Sequence, residues 1–167
     1  MRVFPMVAEQ SMRTFIRILL LLAWAAMFVL TATARMARAD QTEAALARLC
    51  GSKSLYLAPM VRESSRRFLV PPSLSVAVMA TESRCSMTAV GKAGERCAFQ
   101  VHGVARNGRS KAELSNPRTC VDTGIRWLSL MITWCGSVPS GLGAYNRGKC
   151  GVTRYARAVL AAWKGER

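Results

Sequence analysis

The sequence predicts a mainly α-helical domain that is stabilised by disulfides and contains one irregular central loop. Apolar residues recur at helical spacing on both sides of residues 84–108, whereas that stretch is rich in Gly, Cys and polar residues. The chain has six cysteines, and 51% of its 167 residues are hydrophobic, which is enough for a packed core. No repeat or low-complexity linker interrupts residues 40–167, so we expect them to form a single domain.

The N-terminal segment has the pattern of a secretory signal. An almost uninterrupted hydrophobic run at residues 16–31 follows Arg13 and Arg17, and the small-residue sequence Ala37-Arg38-Ala39 follows the run. We therefore predict a signal peptide at residues 1–39, cleaved after Ala39, and a mature domain at residues 40–167 that is exported to the periplasm or beyond the cell. The alternative is an uncleaved membrane anchor, since the run is only slightly shorter than a bilayer-spanning helix.

The cysteines predict three disulfides, because all six follow the proposed cleavage point and an exported chain is oxidised. They are Cys50, Cys85, Cys97, Cys120, Cys135 and Cys150. A metal site is not expected, since no CxxC or CxxxC pair occurs and the chain has one histidine. Many pairings are possible; Cys85–Cys97 and Cys135–Cys150 are favoured because each would close a short segment around a candidate motif.

The charge of the chain predicts an anionic polymer as partner. Removing residues 1–39 takes away five Arg and one Glu and leaves 19 basic and 8 acidic residues, a net charge of +11. Nucleic acid is disfavoured, because the basic residues are scattered and few aromatic residues accompany them. The cell wall, with its peptide carboxylates, is the better target for an exported protein. The alternative is that excess Arg only keeps the domain soluble.

Three helices are predicted before the central loop. Residues 41–50 and residues 55–68 each carry apolar residues at helical spacing. Pro71-Pro72 breaks the chain after them and pre-sets the first turn of a third helix, from Ser73 to about Ser83. That helix is apolar on most sides, so we expect it to be buried.

Three more helices are predicted after the loop, which itself should contain at most short strands. The first begins at Asn116-Pro117, with Asn as cap, and extends to about Trp134 before Gly136 ends it. Its apolar stripe comprises Val121, Ile125, Leu128 and Ile132. A short helix is expected at residues 140–146. A final amphipathic helix is expected at residues 152–164, with the side chains of Tyr155, Val159 and Leu160 facing the core.

Glu82 is the candidate catalytic residue, because it follows the apolar helix at the edge of an expected cleft. A glycosidic bond breaks when its bridging oxygen is protonated while the anomeric carbon gains positive charge. This chemistry needs a carboxylic acid that stays protonated near neutral pH, and burial raises the pKa of a carboxyl group. A Glu at a helix end is by itself more often a solvated surface residue. The prediction therefore depends on the motifs that follow.

Three short motifs occur in order along the chain: Glu82-Ser83, then Cys97-Ala98-Phe99-Gln100, then Ala144-Tyr145-Asn146-Arg147-Gly148. Their order and spacing, over residues 69–157, resemble the soluble lytic transglycosylase (SLT) family, whose lysozyme-like domain cleaves peptidoglycan strands. In that family the second and third motifs are of the types Gly-Leu-Met-Gln and Ala-Tyr-Asn-Ala-Gly. This chain departs from the pattern at Cys97, Ala98 and Arg147.

The resemblance implies a reaction and a set of residues. Glu82 would protonate the β-1,4 bond between N-acetylmuramic acid and N-acetylglucosamine. As a carboxylate it would then take the proton of the sugar's own 6-hydroxyl, so that a 1,6-anhydro end forms without water. The matching positions imply substrate-binding residues at Ser83, Phe99, Gln100, Tyr145 and Asn146. The implied partner is the peptidoglycan glycan strand, with no cofactor, and we expect a monomer.

The sequence alone is compatible with other roles for these residues. Tyr145 could equally be a core aromatic with a satisfied hydroxyl, and Gln100 and Asn146 could cap loops. A hydrolytic muramidase would need a second carboxylate, and the only acid between Glu82 and Gln100 is Glu95, which we expect to be exposed and paired with an Arg.

A comparison with goose-type lysozymes bears on the hydrolytic alternative. Goose-type lysozymes, which resemble the SLT family, carry an Asp just past the Gln motif, where this chain has His102. That departure favours the transglycosylase, and we expect His102 to be a surface or hydrogen-bonded residue.

The second class of alternative is a protein whose cleft is closed by the departures from the family pattern. Such a protein would bind the wall without cleaving it.

Overall fold

The computed structural model describes the backbone of residues 5–165 and the side chains of residues 16–29 and 41–165. The chain divides into two compact units, Met1–Arg38 and Ala39–Arg167. The α-helices of the described residues are α1 (Pro5–Cys50), α2 (Ala58–Arg67), α3 (Pro72–Ser83), α4 (Pro117–Cys135), α5 (Val138–Arg147) and α6 (Arg154–Lys164). Short 3₁₀ turns occur at Ser52–Leu57, Gly103–Arg106 and Glu113–Ser115. The mainly α prediction is confirmed.

The first unit contains the N-terminal part of α1. Its described side chains, at residues 16–29, are all exposed, and they include Trp24 and Phe28. Across the described part of the chain, no helix combines the length and the apolar character needed to cross a membrane. The signal peptide at residues 1–39 stays a prediction, and its first four residues lie outside the described part.

In the second unit, α3 is the buried central helix. All residues from Leu74 to Ala80 are buried, as predicted from their apolar character. The helix begins at Pro72 and ends where Arg84 and Cys85 adopt left-handed backbone conformations, with φ of 55° and 63°. This turn leaves Glu82 in the last turn of the helix, directly before the chain enters the central loop.

The predicted boundaries of α4 are confirmed. Asn116 Oδ1 accepts hydrogen bonds from the backbone N–H groups of Arg118 and Thr119, at 2.9 and 3.2 Å, and Gly136 ends the helix with φ of 72°. The helix predicted at residues 55–68 is shorter, because the chain forms a 3₁₀ turn up to Leu57 and becomes α-helical at Ala58.

The second half of the domain packs closely because α5 carries two glycines. A Cβ atom at Gly141 would lie 2.5 Å from the Cα of Ile132 in α4, and one at Gly143 would overlap the carbonyl oxygen of Gly151. Neither position has space for a side chain, so α5 lies directly against α4 and the segment before α6. This contact sets the position of Tyr145, near the end of α5.

The central loop is irregular, as predicted. Its regular pairing, within the described residues, is limited to isolated antiparallel bridges that join Val90 to Arg96 and Arg96 to Val101. The apolar segment at residues 98–101 contributes Ala98, Phe99 and Val101 to the core. The loop is therefore anchored at its second half, where the second motif lies.

Three disulfides form, as predicted from the six cysteines: Cys50–Cys85, Cys97–Cys120 and Cys135–Cys150, with Cα–Cα distances of 5.5, 6.2 and 5.5 Å. The pairing Cys135–Cys150 is confirmed, whereas the pairing Cys85–Cys97 is wrong. The left-handed turn after α3 places Cys85 beside the end of α1, and the buried loop segment places Cys97 against the first turn of α4. Tertiary packing, and not sequence separation, selects these partners.

Candidate active site

Glu82 is half-buried and hydrogen-bonded. The hydroxyl of Tyr155 donates to Glu82 Oε1 at 2.7 Å. Burial raises the pKa of Glu82, the Tyr155 hydrogen bond lowers it, and the nearby charge of Glu95 raises it; the net result is a pKa above the ordinary value. Glu82 therefore keeps its proton to a higher pH than a solvated carboxyl group, as a general acid requires.

Tyr155 is a site residue that the sequence did not reveal as such. It lies in the first turn of α6, which Thr153 caps by accepting from the backbone N–H of Ala156 at 3.0 Å. The prediction that Tyr155 faces inward agrees with its half-buried side chain, but helical spacing alone gives no sign of its polar partner. Burial, followed by the charge of Glu82, raises the pKa of the Tyr155 hydroxyl, so it stays a donor.

Tyr145 supports this arrangement from α5. Its ring stacks on that of Tyr155, with centroids 6.5 Å apart and an interplanar angle of 5°. Its hydroxyl donates to the backbone carbonyl of Phe99 at 2.7 Å, and burial raises the pKa of this hydroxyl. Since that hydroxyl is already bonded to protein, the geometry favours the alternative of a core aromatic. Tyr145 orients Tyr155 and ties α5 to the central loop.

Ser83 joins α3 to the same loop. Its hydroxyl donates to the carbonyl of Ala98 at 3.0 Å and accepts from the backbone N–H of Ser86 at 3.1 Å. Both bonds are internal to the protein, so the side chain fixes where the loop leaves the helix. The role of Ser83 in substrate binding stays a prediction.

Phe99 requires a correction. Its side chain is fully buried, and a Cβ atom at Gly124 of α4 would overlap its ring. A side chain with no exposed surface does not contact a glycan, so we assign Phe99 to the core. Its backbone carbonyl, which accepts the Tyr145 bond, is the part that contributes to the site.

Gln100 and Asn146 have accessible side chains. Gln100 is half-buried, has a left-handed backbone with φ of 48°, and donates from Nε2 to the carbonyl of Cys97 at 2.9 Å. Asn146 is exposed and makes no side-chain hydrogen bond within the described residues. Among the substrate-binding residues implied by the motifs, these two are the best placed to reach a ligand.

Glu95 also differs from its prediction. It is half-buried, and its Oε2 accepts from the backbone N–H of Ala93 at 2.9 Å. No basic side chain of the described residues forms an ion pair with it, so the predicted exposed pair with an Arg is wrong. Glu95 directly precedes Arg96, which forms the bridge to Val90, and the Glu95 charge contributes to the raised pKa of Glu82. His102 and Arg147 are exposed.

A pocket of about 270 Å³ opens on the central loop but does not include Glu82. It is lined by Met87, Thr88, Ala89, Val90, Arg96, Cys97, Lys111, Ala112, Leu114 and Ser115. This lining has no carboxyl group to donate a proton, whereas general acid chemistry needs one, so the candidate site lies at Glu82 and its hydrogen-bond partner. No three metal-binding side chains converge anywhere in the described residues.

Replacement of Tyr155 by phenylalanine is expected to raise the pKa of Glu82. The Tyr155 hydroxyl stabilises the ionised carboxylate, and its removal leaves the burial of Glu82 in place. The measurement is an NMR titration of the Glu82 carboxyl carbon, with Tyr56→Phe as the matched control because Tyr56 is 55% exposed. An unchanged or lowered pKa in Tyr155→Phe would contradict the assigned hydrogen bond.

One of three comparisons with known proteins found a match. The sequence model of the transglycosylase SLT domain family matches residues 59–164, which include α3, the central loop, α5 and α6. Searches of curated proteins and of solved structures returned no match. The matched region covers more than half of the chain and contains the elements that surround Glu82, so the chain belongs to the transglycosylase SLT domain family.

Proposed function

We propose that this protein is a peptidoglycan lytic transglycosylase that cleaves the β-1,4 bond between N-acetylmuramic acid and N-acetylglucosamine. The family acts on peptidoglycan, and the observation that supports the specific reaction is the state of Glu82. It is half-buried, bonded to Tyr155, and has a raised pKa. A carboxyl group that keeps its proton above the ordinary range and has a hydrogen-bond partner for its ionised form is suited to act as a general acid.

The proposed reaction uses one carboxyl group twice. Glu82 donates its proton to the bridging oxygen, so the bond to the N-acetylmuramic acid C1 breaks and the N-acetylglucosamine hydroxyl leaves. The carboxylate then takes the proton of the 6-hydroxyl of the muramic acid residue while O6 bonds to C1. The product is a 1,6-anhydro end, Glu82 is protonated again, and no water is consumed. The Tyr155 hydroxyl stabilises the transient carboxylate at 2.7 Å.

The chain's charge and disulfides support the setting that we propose for the reaction. Three disulfides persist in an oxidising compartment, which supports the periplasm or the cell surface. The net positive charge favours association with a wall that carries peptide carboxylates. Gln100 and Asn146 are our candidates for direct contacts with the glycan, since both side chains are accessible.

The experiment that tests this proposal is mass spectrometry of the muropeptides that the oxidised protein releases from purified peptidoglycan. We expect products one water lighter than those of a muramidase, and no release by the Glu82→Gln variant. Products with reducing ends would show hydrolysis instead. A folded protein that binds the wall and releases nothing would support the binding-protein alternative and overturn the proposal.

Hydrolysis is the second candidate, and the position of Glu95 is the observation that favours it. A hydrolytic glycosidase needs a second carboxylate to activate water or to stabilise the positive sugar. Glu95 is half-buried, and its charge reaches Glu82. The same mass spectra distinguish the two reactions, because only hydrolysis adds water to the cut end.

A further inference from the structure

Gly91 leaves a space that two polar side chains fill. A Cβ atom at this position would overlap Glu95 Oε2 and would lie 2.7 Å from Gln100 Oε1. The backbone of Gly91 does not have the positive φ that favours glycine, so its conformation is open to other residues. What excludes a side chain at residue 91 is the convergence of the Glu95 carboxylate and the Gln100 amide oxygen above it.

The two converging groups are both hydrogen-bond acceptors. Gln100 Nε2 donates to the carbonyl of Cys97, which leaves Oε1 as the end of the amide that faces Gly91. Glu95 Oε2 accepts from the backbone N–H of Ala93, and Glu95 Oε1 has no hydrogen bond within the described residues. Among the described residues, no cationic side chain forms an ion pair with the Glu95 carboxylate. A carboxylate oxygen and an amide oxygen each have two lone pairs, so these adjacent, partly desolvated acceptors still have capacity to accept a hydrogen bond from a ligand.

We propose that Glu95 and Gln100 form a paired acceptor that binds an N–H or O–H donor of the glycan beside Glu82. The donor groups of N-acetylated amino sugars are their acetamido N–H groups and their hydroxyls, and a carboxylate acceptor binds either more strongly than a neutral oxygen does. This inference rests on the proposed function, since it assumes that the ligand is a glycan. It gives Glu95 a role in substrate binding that does not depend on whether the reaction consumes water.

A second consequence distinguishes Glu95 from a merely structural residue. Its negative charge disfavours ionisation of Glu82 and so contributes to the raised pKa of that group. Replacement of Glu95 by glutamine should therefore lower the pKa of Glu82. The high-pH limit of activity, where Glu82 loses its proton, should then move to lower pH.

The test begins with binding, because binding does not require cleavage. The probe is a soluble glycan strand from which the stem peptides have been removed, and its affinity is compared between Glu82→Gln and Glu82→Gln/Glu95→Gln. We expect the second variant to bind about tenfold more weakly, as for loss of one charge-assisted hydrogen bond. Gly91→Ala, in the same background, should weaken binding similarly because its methyl group displaces both acceptors.

The control is Glu43→Gln, which removes the same charge from a carboxylate that is 51% exposed and pairs with Arg62 on the surface. The second readout is the NMR titration of Glu82 in the otherwise unaltered protein and in Glu95→Gln. An unchanged affinity in Glu82→Gln/Glu95→Gln or in Glu82→Gln/Gly91→Ala would overturn the inference. An unchanged Glu82 titration in Glu95→Gln would contradict the placement of the paired acceptor beside Glu82. Failure of the unaltered protein to cleave peptidoglycan would instead overturn the proposed function, while both readouts would still decide the role of Glu95.

Discussion

Replacement of Glu82 by glutamine is expected to reduce the rate of muropeptide release by about a thousandfold, in the range for loss of a positioned general acid and base. Glutamine has the shape of the carboxylic acid and still accepts the Tyr155 hydrogen bond at Oε1, but it has no proton to transfer. The rate is measured as soluble muropeptides released over time, with Glu43→Gln as the control for net charge. A rate within a few-fold of the unaltered protein would remove Glu82 from the mechanism.

The same substitution is expected to leave the fold intact and to raise the thermal midpoint near neutral pH. Burial gives Glu82 a higher pKa in the folded state than in the unfolded chain, so the folded protein binds this proton more tightly. Above the unfolded-state pKa, ordinarily 4.5, ionisation of Glu82 therefore costs stability, and glutamine removes that cost. Well below 4.5 both states are protonated, and the difference should disappear. A lower midpoint for Glu82→Gln near neutral pH would show that the variant disturbs the site.

Local chemistry in the sequence was sufficient to predict most helices. Asn116 caps α4 and Gly136 ends it because short polar side chains and glycine have specific roles at helix ends. The prolines before α3 and its continuous apolar residues likewise predicted a buried helix. At residues 55–57 the prediction of an α-helix failed, because an α-helix and a 3₁₀ turn present similar apolar spacing over so few residues.

The candidate site was only partly predictable, because its geometry depends on contacts between distant segments. Glu82 and Tyr155 are 73 residues apart in sequence, and only the packing of α6 on α3 brings the two together. Phe99 belongs to a motif that implied substrate contact, yet its ring packs against Gly124 in the core. Glu95 was expected to be exposed and paired with an Arg, whereas in the folded loop it is half-buried and forms no ion pair with the described residues. A sequence pattern indicates which residue types are present, whereas burial and partners follow from tertiary structure.

The contact between Phe99 and Gly124 predicts that the effect of Gly124→Ala on stability changes sign when Phe99 is replaced by alanine. Gly124→Ala in the otherwise unaltered protein should be destabilising, since the new methyl group would lie 2.5 Å from Phe99 Cβ and overlap the ring. Overpacking costs about 1–3 kcal/mol, which exceeds the gain of about 1 kcal/mol from replacing glycine within a helix. Phe99→Ala alone should cost about 3–5 kcal/mol because it leaves a cavity in the core. In that background Gly124→Ala should become stabilising, since the methyl group enters the vacated space.

The four proteins form a double-mutant cycle, measured by urea unfolding with the disulfides intact. Coupling is expected because the two side chains occupy the same volume, and additive effects would mean that they do not meet as described. The variants also separate stability from function. Phe99→Ala keeps the backbone carbonyl that accepts the Tyr145 hydrogen bond, whereas Gly124→Ala pushes on the loop that carries Gln100. We therefore expect Gly124→Ala to weaken glycan binding in the unaltered background, and Phe99→Ala to restore part of that binding when the two substitutions are combined.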